Sequence, residues 1–229
     1  MLSGAIIKLP DDLDINQLNG LVWEREHNDN TLKSIIQFEG APLKISNMTV
    51  HQALAIHEHV IQQPIMDENN GRYSINYQEV VTPYWANCFF SSGLAIVDRL
   101  NHRPFVIDII NHGFNNNGRR LVVPAHEVAI DTARMSNDHR DQWIRAFSER
   151  AGRVDKGTVY GDGVEQDTVF GPELGHANCR SVGWITEAFG DPVKVRVSPK
   201  GSVTVMTDLT PEVFLRFIRL EILPYVTHF

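Results

Sequence analysis

Short runs in which hydrophobic and polar residues alternate occur at several points along the chain and indicate strands. GAIIKLP near the start predicts one strand, and TLKSIIQFEGAPLKIS predicts two strands around Gly40, with Pro42 favouring a sheet edge. RYSINYQEVV alternates as a strand does, although its apolar residues are not confined to one side. Near the end, VKVRVSPKGSVTVMT predicts a hairpin that turns at Lys200 and Gly201. Several antiparallel strand pairs are therefore expected.

Other segments repeat their apolar residues with the spacing of a helix. In NMTVHQALAIHEHVIQQP the apolar positions recur every three or four residues and Pro64 follows, so a helix is predicted. SNDHRDQWIRAFSERAG predicts a second helix that buries Trp143, Ile144 and Phe147. TPEVFLRFIRLEILPYV predicts a third, with Pro211 in its first turn. CFFSSGLAIVDRL fits either a helix or a buried strand.

A further hairpin is predicted from RPFVIDII and RRLVVPA, which flank the turn-forming pair Asn117 and Gly118. Together these elements predict an α+β fold with antiparallel β-hairpins and three or four helices. The expected domain organisation is a single globular unit over residues 1–229, which is an ordinary length for one domain.

Two parts of the chain share one order of elements. Residues 35–65 and the C-terminal tail both read as strand, glycine turn, strand and helix, and Gly40 aligns with Gly201. Such internal similarity suggests two pseudo-repeated ββα lobes, 1–80 and 190–229, on either side of a central segment 81–189.

Composition places the chain among globular proteins and limits its partners. It is 42% hydrophobic and 21% charged, with a formal net charge of −7, which disfavours a whole-surface grip on nucleic acid or an anionic membrane. No apolar run approaches the length of a membrane span, and the N-terminal residues lack the pattern of a signal peptide. A cytoplasmic protein that does not contact the membrane is expected, with its two cysteines as free thiols.

Cys88 is a candidate nucleophile in PYWANCFFSSGLAIVDRL. If a helix began at this point, its positive end would stabilise the thiolate. His126 and then Asp138 or Asp141 follow along the chain, and such an order of thiol, imidazole and carboxylate suits a thiol-dependent hydrolase or acyl transferase. The aromatic residues around Cys88 instead fit a buried, inert cysteine. Cys88, His126 and Asp138 form the catalytic alternative.

Arginines are concentrated in residues 119–153, where seven arginines and five acids give a local charge of about +2 by formal counting. Arginine binds phosphate through two parallel hydrogen bonds, so this segment could contact an anion or nucleic acid. The mixed signs also fit an ordinary solvated helix face. The candidate contacts are Arg119, Arg120, Arg140 and Arg150.

No metal or cofactor is predicted. On a helix, His51, His57 and His59 would point in different directions and could not share one ion. His176 and Cys179 have the spacing of half a zinc site, but no second pair completes it. The glycine-rich segments match neither a phosphate-binding nor a calcium-binding loop.

The function that these patterns favour is a non-catalytic binding or assembly protein that contacts another macromolecule. The partner is a protein or a second copy of the chain, or nucleic acid through residues 119–153. A thiol-dependent enzyme using Cys88 and His126 is the alternative.

Overall fold

The computed structural model describes residues 2–28, 30–45, 47–69, 72–116, 118, 121–148, 156–166 and 178–227. The strands within them are β1 (Leu2–Lys8), β2 (Leu21–His27), β3 (Asn30–Phe38), β4 (Leu43–Ile45), β5 (Met48–Asn69), β6 (Arg72–Ser91), β7 (Leu94–Val97), β8 (His126–Glu127), β9 (Ala129–Ile130), β10 (Gln142–Ser148), β11 (Lys156–Tyr160), β12 (Asn178–Thr186), β13 (Val193–Val197), β14 (Ser202–Val205) and β15 (Val226–Thr227). Thirteen of these described strands form one antiparallel sheet with the path β11-β10-β12-β13-β14-β1-β7-β6-β5-β3-β2, in which β4 also pairs with β5 and β8 with β1. The strands β9 and β15 form a separate pair.

Three α-helices occur in the described residues: α1 (Arg103–Asn116), α2 (Thr132–Asp138) and α3 (Pro211–Phe217). A π-helical turn, Ile218–Ile222, continues α3. None of the helices in this part of the chain is long and apolar enough to cross a membrane.

Two hydrophobic clusters hold the sheet and the helices together. The first packs α1 against strands β5, β6 and β7. The second packs α2, α3 and the π-helical turn against β1 and the strands β12, β13 and β14. The expectation of a mixed α+β protein is therefore confirmed, with a large antiparallel sheet as its main element.

The predictions at the two ends of the chain are confirmed. Residues 4–8 of GAIIKLP lie in β1, and the hairpin of β13 and β14 turns through Gly201, whose φ of 75° favours glycine. Helix α3 begins at Pro211, and the Thr210 side chain caps it by accepting a hydrogen bond from the Val213 backbone N–H. Strong local turn and cap signals agree with the tertiary packing in this region.

The helix predicted over residues 47–64 is wrong, because this segment is the first part of strand β5. Its apolar residues recur every second position as well as every third or fourth, so two periods fit the same sequence. The strand forms because β5 pairs with β3 on one side and β6 on the other, which buries Ala53 and Ala55. Its isoleucine, valine and threonine residues also favour extended backbone.

The hairpin predicted from RPFVIDII and RRLVVPA is also wrong. RPFVIDII is the start of α1, where Val106, Ile109 and Ile110 form a buried helical face. Gly118, with a φ of 71°, follows the helix and its backbone N–H donates to a carbonyl oxygen of the last turn. This glycine therefore caps a helix instead of turning a hairpin.

The helix predicted over residues 136–152 is replaced by the short helix α2 and the strand β10. Asp141 has a φ of 58°, which no continuing α-helix allows. The Glu165 carboxylate accepts hydrogen bonds from the backbone N–H groups of Asp141 and Gln142 and so holds the start of β10 in place. Pairing with β11 and β12 then extends the strand.

The suggested duplication of a ββα unit is not confirmed. Gly40 and Gly201 both have positive φ, 66° and 75°, as two similar glycine turns require. However, the segment in which the first unit would form its helix is strand β5, whereas the corresponding segment of the second unit is helix α3. The shared feature is thus the glycine turn, which is common in antiparallel sheets.

Candidate interaction surface

Cys88 lies near the C-terminal end of strand β6, and its side chain is fully buried. It pairs with Ala53 on β5 and Val97 on β7, so the chain around Cys88 forms a strand and not a helix. Burial, with a smaller effect from the charge of Asp98, raises the pKa of the thiol far above its ordinary value. The helix terminus that would activate Cys88 is absent from this described segment.

His126 and Asp138 lie away from Cys88. His126 belongs to β8, which pairs with one side of β1, while β7 and then β6 follow on the other side. Three strand spacings, roughly 14 Å, therefore separate β8 from β6. Asp138 ends α2, and its Oδ2 lies 3.7 Å from Arg134 Nε. The structure does not bring the three predicted catalytic residues together.

A cavity of about 670 Å³ contains His126 but neither Cys88 nor Asp138. Its polar residues include Lys8 and Asp11, whose Nζ and Oδ1 lie 2.5 Å apart and neutralise each other. The remaining wall is largely aliphatic. This cavity therefore gives His126 no thiol to activate.

Of the four arginines predicted to contact anions, only Arg140 lies in the described part of the chain. It is exposed in the loop between α2 and β10. Arg145, in contrast, is buried within β10. Arg119, Arg120 and Arg150 lie outside the described residues, so contact with nucleic acid through this segment stays a prediction.

The three histidines of β5 lie on one face, because positions 51, 57 and 59 are all odd along a strand. His57 Nδ1 lies 2.9 Å from Ser34 Oγ, and two guanidinium nitrogens of Arg25 lie 3.2 Å from the two ring nitrogens. Burial, followed by the charge of Arg25, lowers the pKa of His57 to about 4. The imidazole is therefore neutral at pH 7 and helps to fix β5 against β2 and β3.

The possible zinc half-site at His176 and Cys179 is not assembled in the described residues. His176 lies outside them, and Cys179 is buried, with its carbonyl oxygen 2.8 Å from Thr132 Oγ1. Within the described ranges, no group of three histidine, cysteine, aspartate or glutamate side chains is arranged to hold a metal ion.

The β5–β6 hairpin extends beyond the strands that flank it. β5 pairs with β3 only as far as His57, and β6 pairs with β7 only from Cys88 onward. Over residues 58–69 and 72–83, which we call the arm, the described pairing is between β5 and β6 alone. At about 3.3 Å per residue the arm is roughly 35 Å long. Its side chains 61–68 and 73–79 are all exposed.

One face of the arm carries a group of apolar residues near its outer end. Residues directly opposite each other in an antiparallel pair share a face, and here Pro64 faces Tyr77 and Met66 faces Ile75, with Tyr73 two residues before Ile75 on β6. Met66 is 74% exposed, and Tyr73, Ile75 and Tyr77 are 66 to 69% exposed. We call these five residues the apolar stripe.

The opposite face of the arm is mostly polar, although Ile61, Ile65 and Val80 also lie on it. The polar residues with described side chains there are His59, Gln63, Asp67, Ser74, Asn76, Gln78 and Thr82. Taking about 200 Å² for each large side chain, the apolar stripe exposes roughly 600 Å². That area is at the upper end of the largest apolar patch on a typical monomer, and such patches are often functional.

Hydrogen bonds fix the base of the arm to the body of the molecule. Asn87 Nδ2 donates to Asp98 Oδ2 over 3.2 Å, and Asp98 Oδ1 lies 2.6 Å from His102 Nδ1. Asn101 Nδ2 donates to the Tyr84 hydroxyl over 3.1 Å. Tyr84, Asn87, Asp98 and His102 border a cavity of about 440 Å³ between the base of the arm and the turn that precedes α1. The arm therefore leaves the body from a well-anchored position.

Sequence reasoning missed the arm, although half of its signal was visible. The alternation of Tyr73, Ile75 and Tyr77 correctly predicts a strand. The other half has a pattern that predicts a helix ending at Pro64, so the sequence does not reveal the length of the hairpin or the shared face of its two strands.

Comparison with known protein families, curated proteins and solved structures finds no match to this chain.

Proposed function

We propose that this protein is a non-catalytic binding or assembly protein that contacts another macromolecule through the apolar stripe of its arm. The observation that carries the proposal is the exposure of Met66, Tyr73, Ile75 and Tyr77 on one face of a projecting ribbon. Methionine and aromatic residues are enriched in protein interfaces, and lysine and glutamate are depleted there. The composition of the stripe is that of an interface core.

A protein partner fits the stripe better than nucleic acid does. Binding to a phosphate backbone depends on lysine and arginine, and the stripe contains neither. The formal net charge of −7 also opposes a general attraction to nucleic acid. Apolar contacts with a second protein surface are the interaction that these side chains support.

The test is site-specific photo-crosslinking in cells that express the full chain. p-Benzoylphenylalanine replaces Tyr77 on the apolar stripe or, as the matched control, Gln78, the next residue on the opposite face. The expected result is a discrete crosslinked product from position 77 and little from position 78. The absence of any product that depends on the face of the arm would contradict the proposal.

A further inference from the structure

We propose that the partner of the apolar stripe is a second copy of this chain, with two arms packed stripe against stripe about a two-fold axis. The inference rests on the proposed function, since it names the partner of the same surface. Two ribbons packed face to face would lie about 10 Å apart, with their side chains interdigitated.

The area of the stripe suits a self-contact. Roughly 600 Å² from each copy gives about 1,200 Å² in total, which is the lower end of the range for specific, stable interfaces. Val81 and Trp85 lie on the same face of β6 nearer the base, are 40% and 60% exposed, and would enlarge the contact.

Among the described residues, the large exposed apolar side chains outside the arm occur singly or in pairs. A contact between unlike surfaces of two copies would need a second patch that complements the stripe, whereas a two-fold contact uses the same patch twice. Beyond the arm and its base, the large exposed apolar residues are Leu100, Tyr160 and Met206, the neighbours Val122 and Val123, and Val213 with Leu220 on α3 and its π-helical turn.

Charge places the two-fold axis near Ile75. Glu68 and Glu79 lie on the face of the stripe, at its two ends. With the axis at Ile75, Tyr73 of one copy meets Tyr77 of the other, and Glu68 lies beside Tyr77. Moving the axis by one residue toward the base would bring Glu68 of one copy close to Glu79 of the other, and like charges at an interface are unfavourable.

The edge of the arm also favours face packing over the addition of a strand of the second copy along β5. Pro64 lies on β5, where it removes a backbone N–H from the outer edge. The most exposed apolar residues of the arm, Met66, Tyr73, Ile75 and Tyr77, point to the face that the packing would cover.

The first test compares Ile75→Glu with the matched control Asn76→Glu by sedimentation of the purified full chain. Both positions are exposed, and equal unfolding curves would show that both variants fold. Ile75→Glu places two carboxylates at the axis, so the dimer dissociation constant is expected to rise by at least about 100-fold. Asn76→Glu should change it by less than about 3-fold. Equal effects of the two variants would overturn face packing.

The second test distinguishes face packing from edge pairing with Ile75→Cys and Asn76→Cys. Cys88 and Cys179 are buried and remain silent in the folded protein. A short bis-maleimide should crosslink two copies through position 75 and not through position 76. Crosslinking at both positions would show pairing along the outer edge of β6 in the arm, because both faces of β6 would then lie beside the second copy.

Different results would overturn self-association alone or both self-association and the proposed function. A wild-type chain that stays monomeric at about 100 µM would overturn self-association, since the proposal expects a dissociation constant below that concentration. A crosslinked product at position 77 that contains a different protein would then retain the proposed function. No product at all, together with a monomer, would overturn both.

Discussion

Removing the outer part of the arm should leave the rest of the fold intact. The variant deletes residues 64–69 and 72–77, so that Asn70 and Gly71, a pair that favours two-residue hairpin turns, join Gln63 to Gln78. Gln63 and Gln78 are opposite each other in the register. The alternation of hydrogen-bonded and non-bonded pairs is kept, because an even number of residues leaves each strand.

The expected change in the free energy of unfolding is less than about 1 kcal/mol, because exposed residues away from the core contribute little. None of the deleted residues belongs to the hydrophobic clusters of the described chain, and those at 64–68 and 73–77 are all exposed. Ile36→Ala is the contrasting control: Ile36 is fully buried on β3, and the truncation should cost about 2 to 5 kcal/mol.

The assay is urea unfolding followed by tryptophan fluorescence, with the arm deletion, Ile36→Ala and the wild-type chain measured side by side. A loss of more than about 3 kcal/mol in the arm deletion, comparable to that in Ile36→Ala, would refute the reasoning. It would mean that the arm is part of the core rather than a projection from it.

Three further outcomes are expected. Native Cys88 should resist alkylation at neutral pH and react only after denaturation, because burial raises its thiol pKa; rapid labelling of the folded chain would contradict this. Since the pKa of His57 is lowered to about 4, the unfolded chain binds the proton first as the pH falls, and the stability present above about pH 6.5 should decline by about 1 kcal/mol toward pH 4, after allowing for solvent screening. The variant His57→Gln should lack this decline, and an unchanged pH dependence of its stability would be evidence against the assignment to His57. Gly113→Ala should destabilise the protein by about 1 to 3 kcal/mol in thermal unfolding, because a Cβ at this position would lie 2.8 Å from Leu21 Cγ and this clash outweighs the higher helix propensity of alanine. A stabilised variant would disprove this close approach.

The sequence predicts structure best where local signals and packing agree. In the hairpin that turns at Gly201 and in the helix that begins at Pro211, the turn glycine, the cap and the apolar pattern all specify the same element. The fold class follows from such segments, even though several central elements were assigned the wrong type.

Other elements depend on contacts that are remote in sequence. The apolar residues around Ala53 satisfy both a helix and a strand, and pairing with β3 and β6 decides between them. Ile109 belongs to a β-branched run that favours a strand, yet it packs as part of a helix against the sheet. Asp141 lies between α2 and β10 with a φ of 58°, and its residue type does not predict this backbone conformation.

The candidate site was only partly accessible to sequence reasoning. The prediction of a binding or assembly protein did not identify a surface, and the residues proposed at Cys88 and Arg119 were chosen for their chemistry. The apolar stripe emerges only from the register that places Met66 opposite Ile75. Its exposure follows from the absence of neighbouring strands along the described arm, which no local pattern encodes.

The most direct test of the central claim is the mass of the full chain and of the arm deletion, measured by sedimentation from about 1 to 100 µM, the range over which weak specific interfaces associate. The full chain is expected to shift from the 25.9 kDa monomer toward twice that mass, while the arm deletion stays monomeric throughout. If the two proteins show the same mass at every concentration, the apolar stripe is not a surface through which this chain assembles.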